Sequence, residues 1–150
     1  MNKSLKKTLQ ETLLRVIRHR RERARRNRSI LVMDDEEMLR DLSAKILTRF
    51  GYRVTTAADG REAIQLYKKA KRKKPFDAVI MDLTIPNGMG GKETIGKLRE
   101  FDPNVKAIIS SGCSRDHPVI ANYRTYGFSA AISKPFEFRD LNAVIRKLIN

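Results

Sequence analysis

The chain has 150 residues, 41% of them hydrophobic, enough apolar material for one domain with a modest extension. Its single cysteine, Cys113, excludes an internal disulfide and suits a reducing compartment. No run approaches the roughly 18 apolar residues of a membrane span, and the basic N-terminus lacks the apolar stretch of a secretory signal.

The formal net charge of +15 is unevenly placed. Residues 1–28 hold eleven Lys/Arg against two Glu, a net +9; the other 122 residues hold 21 against 15, a net +6. Within the first segment Leu5, Leu9, Leu13, Val16 and Ile17 fall on one helical stripe, and 18–28 is almost continuously basic. The spacing predicts one helix over 4–26. No Pro or Gly interrupts it before Ser29.

From Ser29 onward strand and helix patterns alternate. A strand is expected at 29–34, then a helix at 36–49 that buries Met38, Leu42, Ile46 and Leu47 and stops at Gly51. A second strand is expected at 53–57. The next helix, 60–71, has Asp59 as its N-cap and buries Ala63, Ile64 and Tyr67. Residues 68–74 contain six basic residues in seven, and Pro75 ends them. A third strand is expected at 76–82, followed by a loop carrying Pro86, Gly88, Gly90 and Gly91. Loop flexibility is the expected reason for those glycines, whose spacing is not that of a P-loop. A helix at 92–101 and a strand at 105–110 follow. A helix at 118–126 opens on Pro118, a residue suited to a first turn. A strand at 130–133 and a helix at 138–148 complete the pattern. The fold class is therefore α/β: a (βα)5, doubly wound, five-stranded parallel sheet preceded by a basic helical extension. The domains are the extension, 1–28, and the α/β unit, 29–150.

Short apolar runs read as buried parallel strands, and ligands of an open α/β sheet bind at the strands' carboxyl ends. Asp34 and Asp35 follow Ile30-Leu31-Val32-Met33, Asp82 follows Ala78-Val79-Ile80-Met81, and Lys134 follows Ala130-Ala131-Ile132-Ser133. Residues spread over 100 positions thus converge on one sheet edge as three carboxylates and an ammonium. Gathered carboxylates repel, and a hard divalent cation relieves the repulsion; carboxylates with water suit Mg2+. Mg2+ with one Lys suits phosphoryl transfer, and a carboxylate can itself be the nucleophile. Asp82, before the Gly-rich loop, is the best candidate for that role.

Over about 29–150 the chain resembles the receiver domain of two-component response regulators, a flavodoxin-like, CheY-like fold. The resemblance rests on Met33-Asp34-Asp35-Glu36, Met81-Asp82-Leu83-Thr84-Ile85-Pro86, Ser110-Ser111-Gly112 and Lys134-Pro135-Phe136, in order and between the matching elements. Each motif is weak alone; together they are specific. The wording of 82–91 is most similar to receivers at the C-terminus of hybrid sensor kinases.

The resemblance implies a phosphoacceptor that takes a phosphoryl group from a phosphohistidine onto Asp82. It implies Mg2+ bound directly by Asp35, Asp82 and the backbone carbonyl of Thr84, with Asp34 acting through a metal-bound water. Ser111 would bond a phosphoryl oxygen, Lys134 would pair with Asp82 and then with the phosphoryl group, and the bond before Pro135 would be cis. It further implies a cytoplasmic signalling switch without external turnover, partnered by a sensor histidine kinase or a histidine phosphotransfer protein. One departure matters. The family places an aromatic switch residue three before the lysine, and Ala131 stands there, so a loop movement near Ser111 is expected to replace an aromatic rotamer change. The sequence stops soon after the last helix, so output is expected through protein contacts.

Other readings compete. The basic segment 1–28 fits a solvated face, helix pairing in a homodimer, docking on the α/β unit, or nucleic-acid binding, since phosphate contacts need only Lys/Arg density. A nucleic-acid-binding regulator, or a receiver-like scaffold that is not phosphorylated, are the alternatives to a phosphoacceptor. A Mg2+-dependent phosphohydrolase is disfavoured because Thr84, not a second acid, stands two residues after Asp82. Cys113 and His117 read as a small residue at the site rim and the start of a helix.

Overall fold

Residues 2–149 are described by the computed structural model, apart from the side chain of Arg25; the expectations for Met1 and Asn150 lie outside the described residues. Alternation of short apolar runs with helical patterns produces α1 (Lys3–Arg26), β1 (Ser29–Met33), α2 (Glu37–Arg49), β2 (Arg53–Ala57), α3 (Gly60–Lys71) and β3 (Ala78–Asp82). It continues with α4 (Gly91–Phe101), β4 (Ala107–Ser111), α5 (Pro118–Ala121), α6 (Tyr123–Tyr126), β5 (Ala130–Ser133) and α7 (Phe138–Ile149).

The five strands form one parallel sheet in the order β2-β1-β3-β4-β5. Every residue of β1, β3 and β4 is buried, which explains why these segments read as unbroken apolar runs. Successive side chains go to opposite faces. Leu31, Met33, Val79, Met81 and Ile109 pack with Ala63, Tyr67, Ile95 and Leu98 on the α3–α4 side. Ile30, Val32, Ile80 and Ile108 pack with Leu47, Leu141 and Ile145 on the α2–α7 side. The chain turns one way from β1 to β2 and the other way to β3, so the switch point of the sheet lies between β1 and β3. In flavodoxin-like sheets of this order, ligands bind in the crevice at that point.

Four local expectations are corrected. Met38 and Leu42 are 80% and 43% exposed. The inward stripe of α2 is instead Leu39, Ser43, Ile46 and Leu47, at better helical spacing, with Leu39 and Ser43 lining a cavity against Leu141. The single helix expected over 118–126 is two short helices, broken where Asn122 takes φ −117°, ψ 35° and its side-chain amide donates to the Pro118 carbonyl at 3.1 Å. β3 starts at Ala78, because Phe76 stacks on Tyr67 and Asp77 turns its carboxylate to the Ser29 N–H. Docking of the apolar stripe of α1 on the α/β unit is not seen: Leu5, Leu9, Leu13, Val16 and Ile17 stay 38–59% exposed. The Asp59 N-cap is present, its side chain accepting from the Glu62 N–H at 3.0 Å.

Candidate functional site

Three strand ends build the site. β1 delivers Asp34, whose N–H pairs with the Ala57 carbonyl at 3.0 Å and whose side chain accepts from the Glu36 N–H at 2.9 Å. Asp35 follows, exposed. β3 ends on Asp82, which is in register with Ser110 of β4. β5 leads into Lys134, whose N–H donates to the Ser111 carbonyl at 2.8 Å, and the Lys134–Pro135 bond is cis.

The parallel register brings these side chains together across 100 residues. The Lys134 Nζ lies 3.0 Å from Asp34 Oδ2 and 3.4 Å from Asp82 Oδ2. Carboxylate oxygens of Asp34, Asp35 and Asp82 lie within 4.8 Å of one another, a donor set able to hold a metal ion. Asp34 and Asp82 are buried, and only Asp35 faces solvent.

Burial and charge act against each other here. Burial is the largest influence on the Asp82 carboxyl and pushes its pKa up. The Lys134 ammonium pulls it down, Asp34 pushes it up again, and the result lies above the ordinary value. Burial alone would lower the Lys134 pKa. The hydrogen bond to Asp34 and the charges of Asp82 and Asp34 outweigh burial, so the ammonium is held above its usual value. Lys134 therefore stays charged and is the counter-ion of the carboxylate pair.

The remaining sequence-derived residues fall around this centre. Ser111 is buried at the end of β4, and its Oγ accepts from the Cys113 N–H at 2.9 Å. The Thr84 N–H bonds the Asp82 carboxylate while its own side chain is exposed. Ala131 sits half-buried against the α3–α4 core. His117 caps α5 through its Nδ1, which accepts from the Val119 N–H at 3.3 Å.

The Gly-rich loop is not there for flexibility. A Cβ on Gly91 would lie 2.9 Å from the Asp82 carbonyl oxygen and 2.7 Å from Ile109 Cδ1, and one on Gly90 would strike the Leu83 carbonyl. The start of α4 is drawn hard against the end of β3, and a bond from the Gly60 N–H to the Met89 carbonyl, 2.8 Å, fixes the loop's far side. Sequence reasoning also missed Arg40. Its guanidinium donates to the carbonyls of Asp34 and Asp35 at 2.8 and 2.9 Å and pins the acidic turn. No sequence signal separates this arginine from a solvated one.

Residues 30–146 match the family model described as the response regulator receiver domain. The chain belongs to the response regulator receiver family. It is 36% identical over 109 residues to the chemotaxis protein CheY of Thermotoga maritima, covering 72% of this chain and 86% of CheY. It is 30% identical over 118 residues to the transcription factor SKN7 of Candida albicans, covering 79% of this chain but only 20% of that much longer protein. The crystal structure of the response regulator TrrA from Thermotoga maritima, in complex with Mg2+ and BeF, superposes with a TM-score of 0.67 at 29% identity. That match covers 81% of this chain and 98% of TrrA. The chain is thus a phosphoacceptor module of two-component signalling, and receivers act as signalling switches. No helix among the described residues is long and apolar enough to cross a membrane.

Proposed function

We propose that Asp82 is the phosphoacceptor. A carboxylate oxygen attacks the phosphorus of a phosphohistidine, the phosphorus–nitrogen bond breaks, and the imidazole leaves with a proton. The donor is a sensor histidine kinase or a histidine phosphotransfer protein. Asp35, Asp82 and the Thr84 backbone carbonyl hold Mg2+, with Asp34 acting through a water; these hard oxygens fit that ion. When bound, Mg2+ supplies charge neutralisation for the transferring phosphoryl oxygens. Lys134 steadies the Asp82 carboxylate beforehand and the phosphoryl group afterwards. Ser111 donates its hydroxyl hydrogen to a phosphoryl oxygen, since its Oγ already serves as acceptor for Cys113.

The observation that carries this reading is the Lys134 ammonium lying within 3.4 Å of both Asp34 and Asp82, so that removing one charge from Asp82 or adding a phosphoryl group there is felt at once by the lysine. The protein works as a switch without external turnover, because Thr84 stands where a second acid would be needed to hydrolyse an ester repeatedly. Its place is the cytoplasm, and the receiver spans 29–150 with 1–28 as a separate extension. With Ala131 unable to report the phosphoryl group through a ring, the β4–α5 loop around Ser111 carries the change.

The test is intact mass after incubation with Mg2+ and a small-molecule phosphodonor. A phosphate-sized gain is expected in the wild type, lost in Asp82→Asn and without Mg2+. An equal gain in Asp82→Asn would remove Asp82 from the role.

A further inference from the structure

The fold joins two basic runs that lie some forty residues apart in sequence. In a parallel α/β sheet the helices run opposite to the strands, so helix C-termini gather at the edge where strands begin. The C-terminal run of α3 and the loop after it, Lys68, Lys69, Lys71, Arg72, Lys73 and Lys74, therefore lies at the edge opposite the carboxylate cluster. α1 ends at the same edge. Arg28, two residues past it, pairs with Asp77 at 3.2 Å, and the Ser29 and Asp77 backbones bond in turn at 2.8 Å. The segment that leaves the arginine helix is thus tied to the residue three places beyond Lys74. Two carboxylates at this edge are already matched, Asp77 by Arg28, and Asp102 by Lys71 at 3.1 Å and the Tyr67 hydroxyl, while the exposed Glu100 and Glu22 leave the basic residues in large excess. Phe101, 41% exposed, lies beside Lys68 and Lys71, whose Nζ atoms stand 5.4 and 5.2 Å from its ring centre.

We propose that α1 and the α3 C-terminal run form one composite binding surface for double-stranded DNA, at the pole opposite Asp82. The charge alone asks only for a polyanion; the distribution of arginines around α1 selects the duplex. At ~100° per residue, Arg18, Arg20, Arg21 and Arg23 point into four different quadrants of the helix. All four are exposed. A flat anionic membrane would meet one side of such a helix and leave the others unmatched. The DNA major groove, about 12 Å wide, admits an α-helix and flanks it with a phosphate strand on each side. The deep, narrow major groove of duplex RNA does not admit one. The α3 run then reaches the backbone beside the groove. Phosphoryl transfer at Asp82 is not needed for this contact, and the acidic site stays clear of it.

The test is fluorescence anisotropy of a labelled 20-base-pair DNA with the full-length protein between 50 and 200 mM salt. The wild type is expected to bind and to weaken steeply with salt. Lys68→Gln/Lys69→Gln/Lys73→Gln, all exposed and none in an ion pair recorded for the described residues, leaves α1 intact. It is expected to weaken binding at least tenfold at 50 mM salt and to reduce the log–log salt slope by about 2–3, at roughly 0.9 per phosphate contact. Arg18→Gln/Arg20→Gln/Arg21→Gln is expected to do the same. Arg61→Gln/Lys92→Gln/Arg115→Gln removes equal charge at the opposite edge, from the starts of α3 and α4 and the loop after β4, and is expected to change affinity less than twofold. Circular dichroism of each variant separates lost binding from lost fold. Unchanged affinity in the α3 variant overturns the composite surface, as does an equal loss in the control variant. Tighter binding to duplex RNA or to anionic phosphatidylserine vesicles than to DNA overturns the choice of partner.

Discussion

Asp82→Asn is expected to stabilise the metal-free protein at neutral pH, although it removes an ion pair. At an effective dielectric of about 20, the Lys134 contact at 3.4 Å favours the Asp82 charge by about 5 kcal/mol. Asp34, within 4.8 Å, opposes it by about 3.5 kcal/mol on the same scale, and the exposed Asp35 adds about 1 kcal/mol at the dielectric of water. Coulomb terms therefore nearly cancel, and burial decides: the Asp82 side chain is 11% exposed, and its charged form bears a desolvation cost. Lys134 keeps Asp34 at 3.0 Å in the variant, so no ammonium is orphaned. A gain of about 1–2 kcal/mol follows, or roughly 3–6 °C in Tm for a chain of this size. The pH dependence has a definite sign. A carboxyl whose folded pKa is raised destabilises the fold above that pKa, and the penalty fades as pH falls through the folded value toward 3.8. The gap between variant and wild type should narrow on acidification. Thermal unfolding by circular dichroism in EDTA, from pH 7.5 down to 4, measures it, and millimolar Mg2+ should close it by stabilising the wild type. A variant that melts at or below the wild type at pH 7.5 in EDTA would show that the Lys134 attraction outweighs burial.

Gly91→Ala forces a Cβ against the Asp82 carbonyl and Ile109; a loss of about 1–3 kcal/mol in urea unfolding is expected, with reduced phosphoryl uptake. Asp102→Asn tests the second carboxylate pair. The Tyr67 hydroxyl at 2.7 Å, with Lys71, holds the Asp102 carboxyl below its ordinary value. A depressed folded pKa gives stability present above the unfolded value and lost as pH falls through the folded one. The variant should therefore be less stable than the wild type by about 1 kcal/mol at pH 7 and level with it in acid, opposite in trend to Asp82→Asn. Ser111→Ala leaves the Cys113 N–H without its acceptor, at about 1 kcal/mol, and should slow phosphorylation by the small-molecule donor, read as the rate of mass gain. Amide exchange over 112–126 should change on adding Mg2+ and beryllofluoride; unchanged exchange there would argue against loop-borne signalling in place of a ring at Ala131.

The strands and the four charged residues were legible because burial on both faces leaves an apolar run that a charge must terminate. Asp34, Asp82 and Lys134 each end such a run, and parallel register does the rest without further sequence information. What was not legible depends on interactions that composition does not encode. The break at Asn122 comes from one side-chain amide bonding the Pro118 carbonyl, with no glycine or proline at the break itself to mark it. The phase of α2 differs by one residue from the sequence expectation because Met38 is as apolar as Leu39, and only the presence of α7 on the far side of the cavity tells them apart. Glycines 90 and 91 read as slack because sequence shows a missing side chain but not the carbonyl that excludes it. Arg40 and the Arg28–Asp77 pair belong to the same class. Both are ordinary surface charges until the fold sets a backbone carbonyl or a carboxylate opposite them. At the acidic end such a contact fixes the turn that carries Asp34 and Asp35. At the basic end it ties the residue that follows α1 to the residue that precedes β3, so the two poles are each set by an arginine whose partner the chain supplies only after folding.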